Sequence, residues 1–168
     1  MTADGRSGRG PAPDEVRPES ARSTARRVAD TLERLRTDVD LWVASASDTG
    51  DAYLVPLSFH WDGSRLTVAT PRESVTARNL IRAGRARVAL GETRDVVIVE
   101  GPVEEIALGT EPELEEAHAR AAGFDPRELS EEYVYLRITP EQIQAWREAN
   151  ELEGRRLMAR GTWLEAGG

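Results

Sequence analysis

The sequence predicts a mostly β domain with peripheral helices, arranged as a small, six-stranded antiparallel barrel. Three observations predict it. The short apolar runs "AYLVPLSFHW" and "SRLTVAT" are joined by Asp62-Gly63, a link too brief for a helical crossover. The element order read along the chain is β-β-β-α-β-β-α-β, which lacks the strand–helix alternation of a doubly wound nucleotide fold. The helical stretches are few and fill gaps between strands, as they do around small antiparallel barrels.

Residues 1–19 are Gly, Pro, Arg and Asp with almost nothing apolar, which predicts a disordered tail. Residues 20–168 then form one domain. Over residues 20–37, Val28, Leu32 and Leu35 recur at helical spacing beneath an Arg-rich outer face. Strands follow at 39–47 and 52–61, separated by a turn at 48–51. A hairpin turn at 62–63 leads to a third strand at 64–70. A helix over 74–84 has Ser74 as its N-cap and Gly84 just past its end. Two strands cover 85–91 and 95–106, the second kinked at Gly101-Pro102. A helix over 111–123 opens on Pro112. A loop or short helix precedes the sixth strand at 133–139. Residues 140–146 read as a short helical turn, and the rest as irregular with a brief strand near 157–159.

Composition narrows the chemistry. There is no cysteine, so disulfides, thiolate metal sites and thiol nucleophiles are excluded. All 22 basic residues are arginine, which removes Schiff-base lysine mechanisms. His60 and His118 are the only histidines, too few for a transition-metal or haem site. No metal is expected. No apolar run reaches the roughly 18–20 residues of a membrane helix, and no secretory leader is visible, so a cytoplasmic setting follows by default. The net charge of −8 argues against nucleic acid. The charge is uneven: residues 65–94 hold seven arginines against two glutamates, while residues 100–153 hold fifteen acids against four arginines. A basic centre in an acidic chain suits a small anionic ligand, and equally a solvated mixed surface. The acidic run Glu111 to Glu116 reads as a solvated helix face.

Two stretches carry binding potential. In the strand 52–61, Tyr53, Val55, Leu57, Phe59 and Trp61 form one large apolar face. Ala52, Leu54, Pro56, Ser58 and His60 form the other, small and interrupted by a proline that belongs at an edge or bulge. A flat ring could lie on such a backbone, although an ordinary edge strand has the same pattern. In "VATPRESVTARNLIRAG", Ser74 caps a helix whose first N–H groups lack helical partners. Thr70, Thr76, Arg78 and Asn79 surround that end, a set competent to hold phosphate. Glu73 beside the cap must then point away.

Taken in order, the strand with a central apolar run, the Asp-Gly hairpin, the strand ending in Thr70, the Ser74 loop, "ARNL" and "RVAL" resemble the pyridoxamine 5'-phosphate oxidase-like flavin proteins, the FMN-binding split barrels. The resemblance covers about Leu35 to Ile106. A second match is Trp146 followed ten residues later by Arg156, with Arg155 adjoining. The resemblance implies a six-stranded split barrel, a homodimer, and an FMN- or deazaflavin-dependent oxidoreductase acting on a small molecule. It places the phosphate at Ser74, Thr76, Arg78 and Asn79. The ring is placed along Val55, Pro56, Leu57, Ser58 and Phe59 and against Ala69 and Thr70. Trp146 and Arg156 close over the ring as the catalytic pair. Coenzyme F-420, the deazaflavin common in actinobacterial relatives, would lay its anionic tail on the Arg-rich helix 22–36. A non-catalytic flavin-binding module, and a degenerate barrel that keeps the dimer and has lost the cofactor, are the other readings. Two departures stand out. Val75-Thr76 replaces the Arg-Lys pair of the family oxidases, and Leu152 and Gly154 stand near their substrate-binding Arg and His. Vitamin B6 oxidation itself is therefore not expected.

Overall fold

The computed structural model describes residues 20–164; the tail expected over residues 1–19 lies outside them. The elements are α1 (Thr24–Thr37), β1 (Asp40–Ala46), β2 (Ala52–Trp61), β3 (Leu66–Pro71), α2 (Val75–Ala83), β4 (Arg85–Glu92), β5 (Asp95–Ala107), α3 (Pro112–Ala122), β6 (Tyr133–Ile138), β7 (Gln142–Trp146), β8 (Arg156–Ala159) and β9 (Thr162–Trp163). Six antiparallel strands close a ring in the order β1-β2-β3-β6-β5-β4, with β4 returning to β1. Closure leaves few exposed edges and points alternate residues inward. Leu41, Val43, Leu66, Val68, Val88, Val97, Val99, Leu136 and Ile138 fill the interior.

The strand β5 serves three partners, and Asp95–Pro102 pair with β4. Residues Val96–Glu100 pair with β7, whereas Val103–Ala107 pair with β6. The switch falls at Gly101-Pro102, where the sequence predicts a kink. A Cβ on Gly101 would lie 1.8 Å from the Thr139 carbonyl oxygen, so no side chain fits at this corner.

Residues 140–146 are not a helical turn. Gln142–Trp146 form β7, in which Ile143 and Ala145 are buried and Gln142, Gln144 and Trp146 are half-buried. Pro140 resembles a helix start, but the ladder to β5 satisfies this backbone and the period-two burial prevails over local propensity. The hairpin after β2 also differs. Trp61 faces Leu66, so the turn spans four residues. Asp62 organises it, accepting from the Ser64 and Arg65 amides at 2.8 and 2.7 Å.

α1 is capped by Ser23, whose side chain accepts from the Arg26 amide. It is clasped to the chain's later part by charge. Arg22 donates to Glu151 at 2.8 Å, Asp30 at 2.9 Å and Asp95 at 3.0 Å. Arg34 adds Asp95 at 2.9 Å, and the Arg147 amide donates to Glu151 at 2.7 Å. The Arg22 side chain holds the buried Glu151 carboxyl at about 2, well below the usual range. Among the described residues no helix is long and apolar enough to cross a membrane.

Candidate functional site

The barrel opens between β2 and β3. Their ladder runs only from Phe59–Val68 to Trp61–Leu66. Beyond it β2 stays on β1 as far as Ala52, and β3 stays on β6 as far as Pro71. The Phe59 amide donates to the Val39 carbonyl at 2.9 Å, so odd-numbered residues of β2 direct backbone groups at β1. The even-numbered Leu54, Pro56 and Ser58 direct theirs into the gap. Pro56 stands in an interior strand without losing a ladder bond, because its half of β2 is an edge on this side.

The gap is a cavity of about 330 Å³ lined by Asp40, Pro56, Leu57, Ser58, Ala69, Pro71, Phe124 and Tyr133. Four ring-site residues expected from sequence, Pro56, Leu57, Ser58 and Ala69, meet here. Phe59 and Val55 turn their side chains to the core and lie outside the cavity lining. Phe124 and Tyr133, from the segment after α3, were not found by sequence reasoning. The one signal was two aromatics bracketing the polar run between them. Asp40 was also missed. Its carboxylate accepts from the Ser58 hydroxyl at 2.7 Å, and register places the two residues opposite each other.

Behind Phe124 lies a buried polar group. His118 is fully buried, among the described residues neither ring nitrogen has a partner at good hydrogen-bond geometry, the Ser58 carbonyl being only nearby, and its ring meets Phe124 and Tyr135 edge-on at 5.8 and 5.3 Å. Burial lowers its pKa to about 4, with a push from His60; the Ser58 carbonyl and Asp125 offset this only in part. Burial likewise pushes the Tyr135 phenol up to about 12. The acidic face expected to be solvated is not wholly so. Glu115, three residues from His118, is buried and accepts from the Gly109 amide at 2.7 Å. Glu111 pairs with Arg137 at 2.7 Å.

At the start of α2, Ser74 accepts from the Ala77 amide at 3.1 Å and meets the Thr70 hydroxyl at 3.1 Å. Gly84 ends the helix at φ 64°. Thr76 and Asn79 face inward, and Asn79 donates to Ser45 at 3.2 Å, away from the helix start. Arg78 is exposed, donates to the Glu73 carbonyl and lies 3.9 Å from the Glu73 carboxylate. Glu73 therefore does not point away from the arginine. The expected basic centre is also locally neutralised. Arg65, Arg72, Arg85, Arg87 and Arg94 pair with Asp62, Glu105, Glu141, Glu100 and Glu148, and Arg82 donates to the Ala46 carbonyl. The Arg-rich side of α1 is similarly engaged by Asp30, Asp95 and Glu151.

Trp146 and Arg156 lie on β7 and β8, which branch from β5. β5 is three strands from β2 whichever way the ring is followed, so one chain does not bring this pair to the cavity. Arg155, not Arg156, lies over the Trp146 ring at 5.9 Å and donates to Gln144 at 2.8 Å.

The sequence profile of pyridoxamine 5'-phosphate oxidase matches residues 30–147. The chain belongs to the pyridoxamine 5'-phosphate oxidase-like family. No curated protein matches it. Solved structures of this fold do. A pyridoxamine 5'-phosphate oxidase-related, FMN-binding protein from Nostoc punctiforme is 18% identical at a TM-score of 0.50, covering 70% of this chain and 80% of that one. The conserved hypothetical protein Rv2991 from Mycobacterium tuberculosis is 18% identical at 0.59, covering 83% and 91%. A structure named F420 reductase is 15% identical at 0.56, covering 66% and 93%. At these identities the likeness is one of fold. Family membership spans β1 to β7, whereas β8, with Arg156, lies beyond the matched segment.

Proposed function

We propose that this protein is an FMN-dependent oxidoreductase whose active unit is a homodimer, acting on a small organic substrate. The observation that carries the reading is the parting of β2 and β3 beside the start of α2. The cavity volume falls at the lower end of the roughly 300–1,000 Å³ of ligand pockets, which suits a planar ring. The Thr70 and Ser74 hydroxyls and the first amides of α2 are the groups a phosphate needs. A flavin held there supplies hydride transfer.

The chain's own residues divide the work. The Pro56–Ser58 backbone and Ala69 seat the ring, and Phe124 and Tyr133 wall it. Ser74 and Arg78 hold the phosphate in place of the absent Arg-Lys pair. The Arg78–Glu73 pair is exposed and worth at most about 1 kcal/mol, so a doubly charged phosphate displaces Glu73 readily. Trp146 and Arg156 come from the second copy, since their own barrel holds them on the far side from β2. The outer face of β1 and β2 supports this assembly: Trp42 and Leu54 are 49% and 59% exposed on a hairpin flanked by small or apolar residues.

The test is titration of purified protein with FMN, followed by flavin fluorescence. Arg78→Ala is expected to weaken binding by about tenfold to a hundredfold, the scale of one charge-assisted contact. Unchanged affinity moves the phosphate elsewhere. The likeness to the F420 reductase supports a second reading, a deazaflavin reductase. Parallel titration with coenzyme F-420 separates the two, and reduction of the bound ring by a reduced nicotinamide separates an enzyme from a binding module.

A further inference from the structure

We infer that Asp40 is the charge its own chain brings to the β2–β3 cavity and that it lowers the reduction potential of a flavin held there. This rests on the reading of the cavity as the ring site. Among the described residues Asp40 is the one charged residue lining it. The Ser58 hydroxyl fixes its carboxylate at the gap at 2.7 Å. Among the described residues no arginine pairs with Asp40, in a molecule where most arginines beside the site are matched to carboxylates. Within one chain the remaining described walls are proline, leucine, serine, alanine and aromatic side chains, so the Arg156 assigned above to the second copy is the cation Asp40 works against.

Adding a hydride to a neutral flavin ring leaves it one negative charge until a proton is taken up. A fixed carboxylate at the ring raises the free energy of that anion and leaves the neutral oxidised ring nearly untouched. The reduced ring is thereby bound more weakly than the oxidised one, and its electrons are more readily passed on. Asp40 is exposed in the single chain. Water screens it there, and the expected effect is about tenfold in the affinity ratio, which is about 30 mV for a two-electron couple.

The experiment compares wild type, Asp40→Asn and Asp40→Glu, each loaded with FMN. The midpoint potential is read against a reference dye, with dissociation constants for both oxidation states. Asp40→Asn is expected to bind oxidised FMN within about threefold of wild type and reduced FMN about tenfold more tightly, raising the potential by about 30 mV. Asp40→Glu keeps the charge and is expected to keep the potential. A potential that is unchanged or lower in Asp40→Asn overturns this inference and leaves the ring site standing. Failure of wild type to bind FMN overturns both.

Discussion

His118 offers a direct measure of how tightly α3 seals the outer layer of the barrel. It is wholly buried with neither nitrogen well partnered among the described residues, and its pKa falls from an ordinary 6.5 to about 4. The unfolded chain therefore takes up this proton first as pH falls. Stability is intact above about pH 6.5, declines below it, and levels off once the folded histidine titrates near 4. At about 1.4 kcal/mol per pH unit the whole loss is about 3 kcal/mol, and most of it is in place by about pH 4.5. The perturbation is His118→Phe, which fills the site without a titrating group or an orphaned nitrogen and costs little at neutral pH. Urea denaturation of both proteins from pH 7.5 to 4.5 isolates the effect, because carboxylates such as Glu151 titrate in both and cancel in the difference. Wild type is expected to lose about 2.5 kcal/mol relative to the variant across this range. Parallel stability curves would refute the claim that the imidazole is sealed from water.

Other expectations follow from packing and charge. Gly101→Ala forces a methyl onto the Thr139 carbonyl and is expected to cost at least about 3 kcal/mol or prevent folding, read by thermal denaturation. Glu151→Gln strips charge from the clasp with Arg22 and is expected to cost about 3 kcal/mol at pH 7. That penalty shrinks as pH falls from about 4.5 toward 2, where the native carboxylate itself protonates, and urea titration at several pH values checks it. Leu54→Arg sets like charges on the exposed β1–β2 face and is expected to give a monomer in sedimentation velocity that has lost FMN affinity. A dimer that still binds FMN would place the assembly surface elsewhere.

Much of the architecture is legible along the chain because local and global signals agree. Ser74 and Gly84 bracket α2, and β2 alternates large and small residues as its two faces require. The β7 segment was misread because Pro140 and the glutamines favour a helical start, while the strand exists only through its ladder to β5. The cavity is half legible. Pro56, Leu57, Ser58 and Ala69 come from strands with a clear period. Phe124 reaches the gap from the segment after α3, and Tyr133 from the first position of β6 opposite Pro71, placements no local pattern encodes. Charge was the least legible property. Seven arginines close in sequence suggest a positive patch, yet carboxylates from other strands and turns meet most of them. Glu115 and His118 share a helix face that sequence marks as polar, and both are buried.

Arg22 and Glu151 stand 129 positions apart, yet they share the clasp that secures α1. During synthesis α1 emerges early and finds neither Asp95 nor Glu151 to hold it. The six-stranded ring can assemble before the clasp closes, since β6 ends at Ile138. A ribosome paused between those two points would display a finished ring whose first helix is held through Asp95 and its own Leu35 but still lacks Glu151. The last residues to arrive thus complete the hold on α1, and chains cut short before residue 151 would keep that helix by Asp95 and its apolar contacts alone, more open to proteases.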